Sequence, residues 1–548
     1  MKPRIDTMKH EKILLSIVIA MFLLIRIAAL FASQQYVDGD RALTGIVAKH
    51  IMEKGIRPFY FYGEHYAGSQ TIVAYIASLF FMLFGISSFS LHLTDIFLAL
   101  IFVAVTYYVV RKIFNKRIAL ITSFLLAIPI PVFLISDVRY GSNSVALVFN
   151  TLFVYTFYQI FFNNQKTTKN FVFLGIIAGI SYYIGEYILI LLFVFLLFWY
   201  FQNKKFFLTR KFFIFLASFI IGLLPVIHYN LTHNFANLKQ FLAGSVLHKI
   251  ACAYGLLPKT VEFGGKAVES CSLFLDVTPS ASFITTLAGT LPAVFGNTKL
   301  SVFYFLVFIA SLAYLIYSNK GQFKKLLKSF IPLDRYSIEI SRLPKEIFII
   351  FNVLFFIIFW FLSGKNDVSH IHTIYPFLPI MIAVFIYRLY ENKKINKAIP
   401  IIITAAILLI SLFEAAKIIY ARDEEYISDV AYYLEKNNIK YVYAPFFPKW
   451  KIIFGTNEEI IASCQDLCPC GYNYPPYEKM VADSNTTTYI FDRGAKLNRM
   501  LTESLKKQGI GYQAVEFKNQ VVYQLEKPVK PNKIIAECKD SDGWPGEY

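Results

Sequence analysis

The sequence predicts a mainly α, polytopic transmembrane helix bundle of about eleven spans, followed by a small extracytoplasmic α/β domain. Three observations predict it. Of 548 residues, 56% are hydrophobic and only 16% charged, and the apolar residues form runs longer than a soluble core uses. The basic residues behind the net charge of +18 lie between those runs. All six cysteines fall in segments that the resulting topology puts on one side.

The first run, Ile13 to Ser33, is about twenty residues long, enough to cross a ~30 Å hydrocarbon layer. Its length and the lack of a small-residue cleavage site fit an uncleaved span rather than a signal peptide. Lys2, Arg4, Lys9 and Lys12 precede it. Further basic groups are Arg111, Lys112, Lys116 and Arg117, then Lys166 and Lys169, then Lys204, Lys205, Arg210 and Lys211. Lys320, Lys324, Lys325, Lys328, Arg335 and Arg342 follow, and then Lys393, Lys394 and Lys397. Putting every group in the cytoplasm satisfies the positive-inside rule. The spans then fall at 13–33, 90–110, 118–136, 144–163, 171–186, 188–203, 212–229, 300–317, 346–363, 374–390 and 399–416. An odd count gives a multi-pass plasma (inner) membrane protein with a cytoplasmic N-terminus and its C-terminal domain outside. The basic balance is topological, so the bilayer is the expected partner and nucleic acid is not. The apolar stretch Ile72 to Phe84, about thirteen residues, is short for a crossing, and counting it would reverse every later loop. It is expected to lie in or dip into the outer interface.

Residues 1–416 thus read as the transmembrane domain, with a first external loop at 34–89, and 417–548 as the extracytoplasmic domain. The expected strands there are Lys440 to Ala444, Thr487 to Asp492 and Gln520 to Leu525, alternating with helices Glu424 to Lys436 and Lys496 to Gln508. Cys252, Cys271, Cys464, Cys468, Cys470 and Cys538 all lie outside, where disulfides form. Cys252 and Cys271 share a loop and are expected to pair, and the other four allow three connectivities. A zinc site is the alternative, though Cys464-x3-Cys468-x-Cys470 is not a usual zinc spacing and no His lies nearby.

Acidic residues mark the candidate chemistry. Asp38 and Asp40 stand at the outer membrane surface, before a helical stretch from Leu43 to Lys54. One of them is a candidate base; the competing reading makes Asp40 the cap of the following helix, and both roles are compatible. Asp137, Glu186 and Asp95 reach the same face, and buried ionisable groups point into a bundle or a wet cavity. Ion pairing with Arg26, His92 or Arg139 is the other reading for these.

Asp40-Arg41-Ala42-x-x-Gly45-x-x-Ala48-Lys49-His50-Ile51, Phe59-Tyr60-Phe61-Tyr62-Gly63-Glu64-His65-Tyr66-Ala67-Gly68-Ser69 and Leu83-Phe84-Gly85 resemble the first external loop of the GT-C membrane glycosyltransferases. The similar branch holds protein O-mannosyltransferases, aminoarabinose transferases and Rgt-type enzymes. Gly222-x-x-Pro225-x-x-x-Tyr229-Asn230, Tyr375-Pro376-x-Leu378-Pro379, Phe454-Gly455-x-Asn457-Glu458 and Tyr474-Pro475-Pro476-Tyr477 extend the resemblance along the chain. The resemblance implies a GT-C-like bundle and a sugar donor on a polyprenyl phosphate. It also implies an external-loop aspartate base, which maps to Asp40, with Asp38 and Asp137 beside it. Lys49, Arg57, Tyr62, Tyr66, Arg139, Glu186, His370 and His372 become the candidates for holding the donor phosphate and substrate. The chain departs from the pattern at Arg41, where an acidic residue is common, at His92 in place of a basic one, and around Ser369, His370 and His372 in place of Arg-Tyr.

The expected reaction is transfer of a sugar to an acceptor hydroxyl, with the aspartate taking the acceptor's proton and cations holding the departing phosphate. No cofactor is required; a divalent metal on Asp38, Asp40 and Asp137 is compatible with the residues, but no metal site is assigned. A glycan, a lipid or a protein hydroxyl are all open as acceptor. The alternative function is a transporter or flippase for a lipid-linked sugar, for which internal repeats would be expected and none is found. An oligosaccharide polymerase or ligase would carry Arg-rich external loops, whereas the basic residues here are mostly cytoplasmic.

Overall fold

Long apolar runs dictate helices wherever the backbone must satisfy its own hydrogen bonds in lipid, and the chain follows that rule through most of its length. The computed structural model describes residues 2–33, 37–62, 65–66, 68–139, 141–239, 260–263, 266–269, 301–329, 339–363, 375–420, 427–465, 467 and 474–534. The first part comprises α1 (Lys2–Ser33), α2 (Gly39–Lys54), α3 (Gly68–Phe84), α4 (Ser88–Ile113), α5 (Lys116–Ala127), α6 (Pro131–Arg139) and α7 (Gly141–Phe161). Then come α8 (Thr168–Ile184), α9 (Ile188–Gln202), α10 (Arg210–Gly222), α11 (Leu224–Thr232) and a hairpin of β1 (Thr260–Phe263) and β2 (Lys266–Glu269). The helical part closes with α12 (Ser301–Ser318), α13 (Lys320–Ser329), α14 (Lys345–Ser363), α15 (Phe377–Glu391) and α16 (Ala398–Tyr420).

The fold is mainly helical and membrane-embedded, but the span count needs correction. Among the described residues, four helices are long and apolar enough to cross a bilayer, or up to six if each of two bent pairs counts as one. About eleven were expected. Each expected segment is helical, yet several are short or broken for identifiable reasons. The segment at 118–136 splits between α5 and α6 because Pro129 and Pro131 remove amide donors and clash with the preceding turn. The segment at 212–229 bends by 54° between α10 and α11, at Pro225. Helices α8 and α9 have 17 and 15 residues. The stretch expected in the interface is the 17-residue α3, starting at Gly68 rather than Ile72 and roughly 25 Å long at 1.5 Å per residue.

The C-terminal part is an α/β unit: α17 (Ile427–Lys436), β3 (Tyr441–Tyr443), α18 (Phe446–Gly455), β4 (Ile461–Ser463), α19 (Pro475–Asp483), β5 (Thr488–Asp492), α20 (Lys496–Gln508), β6 (Tyr512–Glu516) and β7 (Gln520–Leu525). Its five strands run in the order β4-β3-β5-β7-β6. The β3 strand is parallel to β4 and β5, and β7 is antiparallel to β5 and β6, with Ile490 opposite Val522 and Tyr443 opposite Tyr489. The three expected strands and α20 are present, whereas α18, β4, α19 and β6 were not anticipated. Three-residue β4 is too short for alternation to register.

Two apolar cores result. One fills the helix bundle, from Phe22 of α1 through Phe157 and Phe198 to Met381 of α15. The second crosses from one end of the chain to the other: Ala42, Leu43, Ile46 and Val47 of α2 and Ala77 and Phe81 of α3 pack with Val442, Phe446, Trp450, Ile453, Phe454 and the sheet residues Tyr489 and Val522. Each large apolar side chain buried there contributes roughly 1.5–3 kcal/mol. The helix of the first loop is therefore part of the C-terminal unit's own core.

Candidate active site

Helix α2 begins at Asp38. Extended backbone there (φ −72°, ψ 172°) lets the Asp38 carboxylate accept the Arg41 amide at 2.9 Å, one of the free N–H groups of the first turn. The cap is thus Asp38, and Asp40, the residue whose capping role competed with catalysis, is left free of that task. Asp38 Oδ2 is buried without a hydrogen-bond partner among the described residues. Burial, then the neighbouring Asp38 charge, raise the Asp40 carboxyl to about 7 against the opposing pull of Arg41. A carboxyl poised there exchanges protons near neutrality.

Arg41 swings away from these acids. Its Nη2 sits 2.6 and 2.7 Å from the two Asp95 oxygens on α4, with both side chains buried. Asp95 Oδ1 also accepts the Gly141 amide at 3.1 Å, and a Cβ at Gly141 would overlap that oxygen. His92, on the same helix, donates from Nδ1 to the Val138 carbonyl at 2.9 Å. The basic residue at position 41 thus balances an acid on a neighbouring helix.

Asp137 is held in a different place. Pro129 and Pro131 end α5 and leave its last carbonyls open; Arg26 donates to Ala127 O at 2.7 Å and Leu126 O at 2.9 Å, and its Nη2 pairs with Asp137 Oδ2 at 2.6 Å. The guanidinium also lies 3.8 Å from the Phe22 ring centroid. Asp137 therefore pairs with Arg26 rather than joining the α2 carboxylates.

The other end of α2 meets the C-terminal unit. Lys49 Nζ donates to Asn457 O and Oδ1, each at 2.8 Å, and pairs with Glu458 Oε2 at 2.8 Å. His50 Nε2 lies 3.0 Å from Glu458 Oε1, His50 Nδ1 is 2.7 Å from the Tyr62 hydroxyl, and Tyr477 donates its hydroxyl to Glu458. Burial would raise the Glu458 carboxyl, but the bonds from His50, Lys49 and Tyr477 prevail and hold it well below the usual range. Lys49 and Tyr62, expected near the donor phosphate, are engaged here. Sequence reasoning quoted Asn457, Glu458 and Tyr477 only as points of resemblance; their signal was two short motifs in the tail with no role attached.

Of the remaining expected residues, Arg57 is exposed in the loop after α2, close to Tyr75. Glu186, in the turn before α9, lies near Tyr60 and Tyr182. Tyr66 is exposed beside a cluster in which the Tyr60 ring stands edge-on to Tyr229 at 4.6 Å and His65 Nδ1 is 2.6 Å from the Tyr229 hydroxyl. Burial, then His233, lower the His65 imidazole. The Arg139 side chain and His370 and His372 lie outside the described residues. So do Cys252, Cys271, Cys468, Cys470 and Cys538, while Cys464 is buried and disulfide-bonded. Among the described residues no group of three or more His, Cys, Asp or Glu could hold a metal ion.

With this geometry in hand, residues 71–229 match the model of the dolichyl-phosphate-mannose-protein mannosyltransferase family. That stretch begins after α2. No curated protein matches the sequence. The fold is similar to ArnT from Cupriavidus metallidurans in the apo state, with 10% identity and a TM-score of 0.58 over 93% of this chain and 97% of that one. It is equally similar to the same protein bound to undecaprenyl phosphate, with 11% identity and a TM-score of 0.57 over the same 93% and 97%. The architecture is GT-C-like and polytopic, in agreement with the resemblance carried by the first loop.

Proposed function

We propose that this chain, GT-C-like in fold, is a membrane glycosyltransferase that moves a sugar from a polyprenyl-phosphate-linked donor to an acceptor hydroxyl on the extracytoplasmic face, with Asp40 as general base. The observation that carries the reading is the Asp40 carboxyl, raised to about 7 by burial and by Asp38, at the start of a helix whose other charges are paired. The donor class is supported by the fold likeness to ArnT bound to undecaprenyl phosphate and by the family match. The reading takes residues 1–416 as a multi-pass bundle of the inner membrane with a cytoplasmic N-terminus, and 417–548 as the domain outside.

In the reaction the acceptor O–H gives its proton to Asp40 while its oxygen attacks the anomeric carbon. The bond from that carbon to the phosphate oxygen breaks, and the polyprenyl phosphate leaves with the electron pair. Asp38 keeps the Asp40 carboxylate basic by repulsion. Arg57, exposed and without an ion pair among the described residues, is the cation offered to the phosphate, with Arg139, His370 and His372 as further donors. Tyr66 and Glu186 are the further side chains assigned to the sugar in this reading. A glycan, lipid or protein hydroxyl serves as acceptor, and loss of turnover on chelation would add a divalent metal to the scheme.

A transporter would share the broken helices. The carbonyls freed at the α5 break are occupied by Arg26, which removes them as ion ligands. The deciding experiment is Asp40→Asn, expressed in native membranes that supply their own lipid-linked sugars, with the glycan product quantified by mass spectrometry. Product should fall by about 10²–10⁴-fold with folding and insertion unchanged. Retained turnover sinks the assignment.

A further inference from the structure

We infer that Glu458 is a positioning residue for sugar transfer: by binding Lys49, His50 and Lys54 together, it makes the C-terminal domain fix the rotation and height of the helix that carries Asp40. The inference rests on the glycosyltransferase reading above and adds a residue more than 400 positions away, as the 408-residue separation of Glu458 from His50 measures.

The coupling is mechanical. Helix α2 is a rod of 16 residues held at two ends. Near its start Arg41 ties it to Asp95 of the bundle at 2.6 Å. Near its end the three basic side chains converge on one carboxylate, at 2.8 Å for Lys49, 3.0 Å for His50 and 3.5 Å for Lys54. Positions 49, 50 and 54 lie on neighbouring faces of a helix, so a single anion contacted by all three sets the rotation of the rod as well as its height.

The anion is itself held rigidly. Asn457 and Glu458 both adopt left-handed backbone, with φ of 51° and 70°, a conformation that disfavours non-glycine residues. Tyr477 donates to Glu458 from α19, and Tyr474 packs against Tyr62 with ring centroids 4.3 Å apart and planes tilted by 31°. Helix α18 then lies along the rod: a Cβ at Gly39 would come within 2.8 Å of the Phe447 ring, and one at Gly45 would overlap the ring of Phe454. Gly39 separates Asp38 from Asp40, so this close approach occurs between the two carboxylates of the site. A displacement of about 1 Å at such a group can cost up to 10²-fold in rate.

The test uses full-length Glu458→Gln, which keeps the shape and removes the charge. Three measurements are made: product formation in native membranes from about pH 5.5 to 8.5, binding of undecaprenyl phosphate to the purified protein, and thermal unfolding in detergent. The expected result is a folded protein with unchanged undecaprenyl phosphate affinity and a rate lowered about tenfold. The acid limb of its pH profile should move to lower pH. That limb reports Asp40, whose charged neighbours are Asp38 and Arg41, while Lys449 of α18 is paired with Glu478; a loosened helix start is better hydrated and its carboxyl easier to ionise. A folded variant with unchanged rate and limb overturns the inference. If Glu458→Gln does not fold, Tyr477→Phe, which removes one hydroxyl from the same carboxylate, decides by the same criteria with a smaller drop. Asp40→Asn is run alongside: activity in that variant rejects the glycosyltransferase reading, whereas an inactive Asp40→Asn beside a wild-type-like Glu458→Gln rejects the positioning role alone.

Discussion

The two ends of helix α2 carry charges of similar density and treat them in opposite ways. At the C-terminal end, Glu458 is met by Lys49, His50, Lys54 and Tyr477, and its carboxyl is held well below the ordinary range. At the N-terminal end, one Asp38 oxygen caps the helix, the other is buried without a partner among the described residues, and Asp40 is driven up to about 7 by burial and by its neighbour. Arg41, the cation that would have neutralised the pair, is drawn onto Asp95. A satisfied network stabilises one arrangement, and an unsatisfied acid beside a like charge stores the tendency to take a proton. The contrast within one helix sets a paired carboxylate held down in its titration against one raised toward neutrality.

Four substitutions probe the difference between the two ends of α2. The largest effect is expected for Asp40→Asn, with product down about 10²–10⁴-fold in native membranes and the unfolding temperature unmoved. Asp95→Asn comes next: it leaves the Arg41 guanidinium buried without its counter-charge, which costs roughly 3–5 kcal/mol in thermal unfolding. Gly45→Ala should lower stability by about 1–3 kcal/mol, because the new methyl meets the Phe454 ring and α18 must shift. The smallest effect is a displacement of the pH profile. With Asp40 as the proposed base, active when deprotonated, wild-type rate should rise as pH climbs through about 7. Asp38→Asn keeps a capping side chain but removes the repulsion, which should lower the Asp40 value and move that rise to lower pH. An acid limb that stays put in Asp38→Asn would show that the two carboxylates do not act as a pair.

Much of the fold was legible locally. The apolar runs marked most helices of the bundle, because a membrane leaves the backbone no partner but itself, but not the basic α13, whose lysines mark a cytoplasmic loop in the sequence. Alternation marked β5 and β7, and the pattern after Ala495 marked α20. Crossings were harder to count, since Pro129, Pro131 and Pro225 were absorbed into apolar windows that ignore where a helix breaks. The site was legible in part. Asp38 and Asp40 stood out as acids at a membrane boundary, but which one caps the helix depended on the dihedral angles of residue 38. Asp137 reads from sequence either as a third member of the site or as an ion-pair partner, and the structure pairs it with Arg26.

From the sequence came the helices of the apolar runs, three of the five strands in the tail, and the short stretch that holds Asp38 and Asp40. Those properties come from neighbours within a few turns, and periodicity and composition record them. Only the tertiary packing sets which acids are paired with a cation and which carboxyl is raised. The pairs that decide it join residues separated by 54 positions for Arg41 and Asp95, 111 for Arg26 and Asp137, and 408 for Lys49 and Asn457. A charge has no periodicity that names its distant partner; only the packing of α2 between the bundle and the C-terminal sheet brings them within a hydrogen bond.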